Sequence, residues 1–322
     1  MILDKISNFL KKDYESSVLA CGFLINPYNF VVVDTGPTRG VFGGGDTGSH
    51  SNVLDYITIA TTGNATDFGD LTVARTASSG VNSDVRGCSG GGNTGVRSDV
   101  IDYITIATIG NATDFGDLTV ARGWSGGVNT TVRGCFGGGY SSSGRVNVID
   151  YITIATTGNA IDFGDLTVSR YLVSGLNSDV RGVFGGGDNL NDLRNEMDYI
   201  TIATTGNATD FGDLTVARTA LSGVNSLTRG IFGAGATGSV SNVLDYITIA
   251  TTGNATDFGD LTVAREGLSG VNSATRGVFG GGYAGGYSNV IDYITIATTG
   301  NATDFGDLTV ARAYPSGVQN GL

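Results

Sequence analysis

One phrase of the sequence returns at a nearly fixed interval, and this repetition constrains the fold more than any other feature. The phrase reads VLDYITIATTGNATDFGDLTVAR at residues 53–75 and recurs five more times with few changes. Its Asp stands at steps of 47 or 48 residues: Asp55, Asp102, Asp150, Asp198, Asp245 and Asp292. Because tandem units of this size bury a face against their neighbours, they form one architecture. The repeats begin near Arg39 and leave residues 1–37 as a separate segment.

Each repeat can be parsed into four short β-strands. We number them by their expected order in one sheet, which in the first repeat is SGVNS (79–83), RGVFGGG (39–45), NVLDYITIAT (52–61) and ATDFGDLTVAR (65–75). These segments are rich in β-branched, aromatic and small residues, and TGN between the third and fourth strands is a tight-turn signal. No segment shows a helical period. The repeat therefore predicts an all-β protein.

Four antiparallel strands in a repeat of this length are typical of a β-propeller blade, so six repeats predict six blades. The small residues of the first strand suit the crowded axis, and the fourth strand is expected outermost. The repeat frame begins with a second strand at Arg39 and ends with a first strand at residues 316–319. We therefore expect the C-terminal strand to join the first blade, which closes the propeller and removes a free sheet edge.

The order of these residues resembles kelch repeats, the galactose-oxidase-type propeller family. In the first repeat the resemblance rests on Val41-Phe42-Gly43-Gly44, Asp55-Tyr56, Phe68, Leu71 and Arg75. It implies a kelch-like six-bladed propeller over residues 38–322 with a short N-terminal extension, residues 1–37. The chain departs from the family where Phe68 replaces the usual Trp and where Asp-Tyr replaces the commoner Tyr-Asp. The repeated phrase is also similar to repeats in predicted virion structural proteins of marine tailed phages.

The charge balance argues against several partners. The net charge is −12 and the isoelectric point is near 4.3, so nucleic acids and anionic membranes are poor partners. The N-terminus lacks the pattern of a signal peptide, and the apolar run at residues 18–33 is too short and broken to span a bilayer. All three Lys precede residue 13, and we expect residues 1–37 to be an attachment segment that docks into a larger assembly.

Several motifs invite a chemical interpretation. DFGD at residues 67–70 resembles the kinase metal motif, but no Lys follows Lys12, which excludes a kinase. Asp67 and Asp70 are candidates either for a hard-cation site or for ion pairs between blades with Arg75 and Arg86, and ion pairs are favoured. The single His, His50, excludes the copper chemistry of galactose oxidase. No cofactor and no metal are predicted.

Other recurring residues favour structural roles. Cys88 and Cys135 stand where other repeats carry Val or Ile, which predicts small buried side chains and no disulfide framework. NAT reads as a glycosylation sequon, yet Asn159 keeps its place where Ile161 removes the sequon, so turn chemistry is favoured. The first strands carry amides in equivalent positions, for which a structural ring is favoured over a ligand site: Asn82, Asn129, Asn177, Asn225, Asn272 and Gln319.

The repeats differ from one another mainly in two connections. These are the second-to-third connection and the connection from the fourth strand to the next first strand, which leave the same ends of the strands. Loops on a rigid scaffold are the usual place for recognition, so we expect a binding face there, with neutral drift as the alternative. The candidate binding residues are His50, Trp124, Tyr140, Tyr171, Tyr283, Tyr287 and Tyr314.

These features predict a non-enzymatic structural or binding protein. The setting that the phage resemblance implies is a virion, as a fibre, decoration or tail component that displays the variable loops to a host-surface glycan or protein. Its other partners would be virion proteins bound through residues 1–37. One alternative is a cytoplasmic kelch-type adaptor. Another is a glycan-acting hydrolase or lyase that uses carboxylates of the variable loops, namely Asp46, Asp188, Asp192 and Glu196.

Overall fold

A computed structural model describes residues 38–190 and 192–320, and all regular structure in these ranges is β. The strands form six four-stranded antiparallel sheets of the same order, together with small accessory sheets. The predicted all-β class with four strands per repeat is therefore confirmed, and the repeated sheets fit a β-propeller-like fold. The proposed attachment segment, residues 1–37, lies outside the described residues, and both its role and its boundary stay predictions.

The sheets are numbered here by the order of their second strands along the chain, and the bounds below run from sheet 1 to sheet 6. The first strands are Ser316–Gln319, Ser79–Asn82, Gly126–Asn129, Ser174–Asn177, Ser222–Asn225 and Ser269–Asn272. The second strands are Arg39–Gly43, Arg86–Gly90, Arg133–Gly137, Arg181–Gly185, Arg229–Gly233 and Arg276–Gly280. The third strands are Val53–Thr58, Val100–Thr105, Val148–Thr153, Glu196–Thr201, Val243–Thr248 and Val290–Thr295.

The fourth strands are Thr66–Asp70, Thr113–Asp117, Ile161–Asp165, Thr209–Asp213, Thr256–Asp260 and Thr303–Asp307. Five two-residue strands lie in the variable connections: Arg122–Gly123, Tyr140–Ser141, Gly144–Arg145, Asp188–Asn189 and Asp192–Leu193. The prediction that the fourth strand continues to Arg75 is wrong, because the chain leaves the sheet after Asp70 and carries Arg75 inward. The third strand likewise ends at Thr58 and not at residue 61.

The DFGD motif forms a β-bulge in the fourth strand. Asp67 lies opposite Asp55 and Gly69 opposite Leu54, so Phe68 is an additional residue on its strand. Phe68 is fully buried, and its ring meets that of Tyr56 edge-on at 6.0 Å. Gly69 has a φ of +142°, and a Cβ there would lie 2.6 Å from the carbonyl oxygen of Gly110 in the next sheet. The motif therefore serves strand geometry and the close approach of the neighbouring sheet.

The apolar core lies between neighbouring sheets. Between sheets 5 and 6, for example, Val224 and Phe258 pack with Phe279 and Ile294. A matching cluster contains residues of sheets 6 and 1, among them Val278 and Phe42. Burial of these side chains against the next sheet explains why the apolar positions of the repeat are so constant.

A buried ion pair joins neighbouring sheets. In one example Arg170 lies 2.9 Å from Asp198, and both side chains are 1% exposed. Thr167 donates its hydroxyl proton to the other carboxylate oxygen at 2.6 Å. Burial lowers the pKa of Arg170, which the charge of Asp198 opposes. The pairs are Arg75–Asp102, Arg122–Asp150, Arg170–Asp198, Arg218–Asp245, Arg265–Asp292 and Arg312–Asp55.

The expected pairing of Asp67 and Asp70 with Arg75 and Arg86 is wrong. Arg75 turns into the interior, where its partner is the buried Asp102 of the next sheet, whereas Asp67 lies on the exposed side of its strand. Arg86 instead lies over the ring of Tyr103 at 4.4 Å and donates to the carbonyl oxygen of residue 154 in sheet 3 at 3.2 Å. Arg75 and Arg86 therefore each connect one sheet to the next.

Side-chain amides add two further links between neighbouring sheets. The Asn of each Gly-Asn turn accepts from a backbone amide of the preceding fourth strand, as Asn111 does from Asp70 at 3.1 Å. Asn159 makes the same contact with Asp117, so the turn role holds where the sequon is lost. On the first strands, the backbone N–H of Asn82 donates to the side chain of Asn129 at 3.2 Å, and similar bonds involve Asn177, Asn225, Asn272 and Gln319.

The packing between sheets 1 and 2 differs from the other contacts. Sheet 2 carries Ser89 where the other sheets carry Phe42, Phe136, Phe184, Phe232 and Phe279. A cavity of about 10 Å3 remains beside Ser89 and is also lined by Gly43, Leu54 and Ser316. Where sheets 5 and 6 meet, the equivalent space beside Gly233 and Leu244 is filled by the ring of Phe279.

We expect Ser89→Phe to lower the free energy of unfolding by about 1–3 kcal/mol, because a cavity of about 10 Å3 has room for about one water and the ring must displace its neighbours. Chemical denaturation of the full chain measures the change. Ser89→Ala is the control, since it removes the 2.8 Å bond to the Ser316 hydroxyl without filling the space. Unchanged or greater stability in Ser89→Phe would contradict this expectation and show that sheets 1 and 2 can adopt the spacing that Phe sets between the other sheets.

Candidate binding face

The two variable connections of each sheet share one backbone arrangement. In sheet 2 the backbone N–H of Asn93 donates to the carbonyl of Thr76 at 2.8 Å, and Thr76 returns a bond at 3.0 Å. Asn93 also forms a β-bridge with Arg97. The equivalent triplets are Ala313–Asp46–His50, Thr76–Asn93–Arg97, Gly123–Tyr140–Arg145, Tyr171–Asp188–Leu193, Thr219–Ala236–Val240 and Glu266–Tyr283–Tyr287. Different side chains thus stand on a common backbone.

A second set of backbone bonds links the residues that precede the first strands. Each N–H donates to the carbonyl of the equivalent residue in the preceding repeat, as Trp124 does to Ala77 at 2.9 Å. The donors are Ala77, Trp124, Leu172, Ala220, Gly267 and Tyr314, and Ala77 donates to Tyr314 at 3.0 Å. All have a positive φ, between 54° and 62°. The backbone at this level is therefore fixed, whatever side chain it carries.

Three of the predicted binding residues come together in the largest aromatic group of the variable connections. The ring centroids of Trp124 and Tyr171 are 6.3 Å apart, and those of Tyr140 and Tyr171 are 5.3 Å apart. Arg97 lies over Trp124 at 4.5 Å and over Tyr140 at 5.1 Å. Arg145 lies over Tyr171 at 5.3 Å. We call these five residues the aromatic–arginine patch.

Asp188 of sheet 4 adjoins the patch and pairs with Arg145 at 3.2 Å. Partial burial raises the pKa of the Tyr171 hydroxyl, Asp188 adds to the rise, and Arg145 opposes it. Tyr171 therefore stays protonated at neutral pH and keeps a hydrogen-bond donor. The patch combines flat apolar rings, phenol hydroxyls and guanidinium groups, which together suit a polar ligand with an apolar face.

The other candidate residues lie elsewhere on the variable connections. Tyr283 and Tyr287 form an edge-on pair at 5.7 Å, and each is 38% exposed. A hydrogen bond to Asp46 raises the pKa of Tyr287. The ring of Tyr314 lies against Gly267, and burial raises the pKa of its hydroxyl. His50 is bridged to Asp46 and belongs to neither aromatic group.

Sequence reasoning missed Arg97 and Arg145 as members of the candidate site. A signal was present, because the repeat fixes Arg at only two positions, represented by Arg39 and Arg75. An arginine outside those positions serves no contact that the repeats share.

The carboxylates proposed for a glycan-acting enzyme are mostly held by arginines. Asp192 and Glu196 both pair with Arg194, at 2.5 and 2.6 Å, and Asp188 pairs with Arg145. Asp46 accepts the backbone N–H of Gly48 at 2.9 Å. Within residues 38–190 and 192–320, no group of three or more His, Cys, Asp or Glu side chains is placed to hold a metal ion.

The cysteines of the repeats are buried as predicted. Cys88 and Cys135 have no exposed area, and burial raises the pKa of both thiols to about 12. At neutral pH the thiolate, which is the reactive form, is therefore scarcely populated. These side chains act as small apolar residues of the core.

A second cavity, of about 120 Å3, lies among the first strands. Hydroxyl groups and glycine backbone dominate its lining, including Ser79, Ser174, Ser222, Ser269 and Ser316. The hydroxyl of Ser79 already donates within this wall, to the carbonyl oxygen of Ser125 at 2.5 Å. The described residues that line this cavity include no charged side chain. The aromatic–arginine patch offers both rings and cations, so it is the stronger candidate for ligand binding.

Comparison with known proteins gives no family assignment: no protein-family model matches the chain, and no curated protein matches it. Among the described residues, no helix is long and apolar enough to cross a membrane.

Proposed function

We propose that residues 38–322 form a closed, six-bladed, kelch-like β-propeller. Closure is supported by the pairing of Ser316–Gln319 with Arg39–Gly43 and by the ion pair between Arg312 and Asp55. It is also supported by the backbone bond from Ala77 to Tyr314. Such closure gives both end repeats the same neighbours as the central ones and leaves no free sheet edge.

The propeller acts as a non-enzymatic binding module, and the variable connections form its recognition face. One observation carries this proposal: side chains that differ from repeat to repeat stand on the same hydrogen-bonded triplet in each sheet. A rigid backbone that holds exchangeable side chains is what recognition requires, because the side chains are ordered before the ligand arrives. The aromatic–arginine patch is the part of this face that contacts the ligand.

The setting that we propose is a virion, where the module serves as a fibre, decoration or tail component. This rests on the resemblance of the repeated phrase to repeats of marine tailed-phage proteins. In this setting residues 1–37 attach the chain to other virion proteins, and the recognition face meets a glycan or protein of the host surface.

We expect the double variant Trp124→Ala, Tyr171→Thr to abolish binding to a panel of immobilised glycans and intact bacterial cells. The variant should fold, because Ala77 and Ala220 occupy the position of Trp124 with similar φ, and Thr76 and Thr219 occupy that of Tyr171. Surface binding assays with the full chain measure the effect.

The matched control is Val132→Ser, which changes a side chain that is 63% exposed on a connection at the opposite ends of the strands. This control should bind like the parent chain. Equal binding by the parent chain, the double variant and the control would contradict the assignment of the recognition face. A loss of binding in the control as large as that in the double variant would contradict it as well.

A further inference from the structure

The arginines of the described residues fall into two framework sets and a remainder. One set forms the buried ion pairs with Asp. The other set, which starts at Arg39, lies over the third-strand tyrosines. The remainder is Arg97, Arg145 and Arg194. These three lie in the second-to-third connections of sheets 2, 3 and 4, so cations without a framework role collect in one part of an acidic protein.

The three differ in how their charge is compensated. Arg194 pairs with Asp192 and Glu196, and Arg145 pairs with Asp188. Arg97 lies over Trp124 and Tyr140 and forms no ion pair with any described residue, although its side chain is partly buried. A guanidinium group that is stacked on aromatic rings is held in place and presents its N–H groups to an anion. The patch thus contains a fixed cation that can accept an acidic group.

We infer that the aromatic–arginine patch binds an acidic saccharide, that is, a sugar ring that carries a carboxylate or sulfate group. This inference rests on the proposed function of the variable connections as a recognition face. The guanidinium group of Arg97 donates a charge-assisted hydrogen bond to the acidic group. The rings of Trp124, Tyr140 and Tyr171 contact the apolar face of the sugar. The phenol groups bond to the sugar hydroxyls.

The patch suits a saccharide better than an acidic peptide. One common way for an extended peptide to gain affinity is to add its main chain to an open sheet edge. Here the neighbouring backbone is already paired: Thr76 and Asn93 exchange two bonds, and Tyr140 pairs with both Gly123 and Arg145. The rings and the guanidinium groups therefore supply the contacts, and these groups match the flat ring and the anionic substituent of an acidic sugar.

The test is calorimetric titration of the full chain with matched acidic and neutral sugars: sialyllactose against lactose, sulfated galactose against galactose, and trigalacturonate against its methyl ester. At least one acidic member should bind about tenfold or more tightly than its neutral partner, as a charge-assisted hydrogen bond implies. Arg97→Gln should erase this preference. Arg194→Gln is the matched control and should retain it, because Arg194 is already paired with two carboxylates.

The alternative outcomes separate this inference from the proposed function. Equal binding of acidic and neutral members, lost in Trp124→Ala, would overturn the acidic specificity and leave the recognition face in place. Binding of no sugar, or tighter binding of polyglutamate than of any sugar, would overturn the inference. In that case the proposed function is tested separately, by the binding of the Trp124→Ala, Tyr171→Thr variant to the panel of glycans and cells.

Discussion

Replacing Arg170 by Met is expected to lower the free energy of unfolding by about 3–5 kcal/mol, which is the usual cost of removing one partner of a buried ion pair. The variant leaves Asp198 as a buried carboxylate without its cation. It also removes the donors to the carbonyl oxygens of Glu196 and Phe184, which accept from Arg170 at 2.7 and 3.3 Å. Because these acceptors belong to sheet 4, the loss falls on the contact between sheets 3 and 4. Chemical denaturation of the full chain measures it.

The double variant Arg170→Met, Asp198→Asn tests whether the uncompensated charge causes this loss. The neutral amide removes the charge and keeps an acceptor for the Thr167 hydroxyl. We therefore expect it to recover part of the stability that Arg170→Met loses. A loss in the double variant equal to the sum of the losses measured for Arg170→Met and Asp198→Asn alone would give a different result. It would show that the ion pair is not the source of the effect and that packing of the long arginine side chain explains it.

Replacing Gly175 by Ala is expected to cost about 3 kcal/mol or more, since overpacking against backbone cannot be relieved by a side-chain rotation. Gly175 lies on the first strand of sheet 4, and a Cβ there would collide with the carbonyl oxygen of Gly127 and lie 2.7 Å from a methyl group of Val128. Both obstacles belong to sheet 3. The substitution therefore forces two first strands apart where the small residues of the repeat let them approach.

The matched control for this substitution is Gly286→Ala. Gly286 lies in a variable connection, and a Cβ there would meet nothing within 4 Å. Its effect on the free energy of unfolding should stay within about 0.5 kcal/mol, as for other exposed positions. Thermal unfolding of the two variants measures the contrast, and similar midpoints would show that the first strands are not closely packed.

The strands could be predicted from the sequence because each repeat carries its own turn signals and apolar residues. The contacts between sheets could not. Asp67 and Asp70 lie close to Arg75 and Arg86 in the chain, so proximity in sequence predicts that these carboxylates pair with these arginines. In the structure Arg75 pairs with Asp102 of the next repeat. The equivalent position in the repeat that contains Arg75 is also an Asp. Near-identical copies hide which copy a residue contacts.

The residues of the candidate site could be predicted only in part. Trp124 and Tyr171 stood out because their positions vary between repeats, and the structure brings them together with Tyr140. Arg97 did not stand out, since an arginine in a polar loop is ordinarily a solvated side chain. Its stacking on Trp124 depends on a spacing between two connections that only the folded backbone fixes.

The most direct test of the account compares the same substitution at two places: Arg312→Met, where sheet 6 meets sheet 1, and Arg170→Met, where sheets 3 and 4 meet. Both arginines are buried and pair with Asp, at 2.6 and 2.9 Å. A closed propeller predicts that the two losses in free energy of unfolding agree within about 1 kcal/mol, because every repeat has the same neighbours. A full loss for Arg170→Met with little change for Arg312→Met would mean that the repeats form an open array, and would contradict the account.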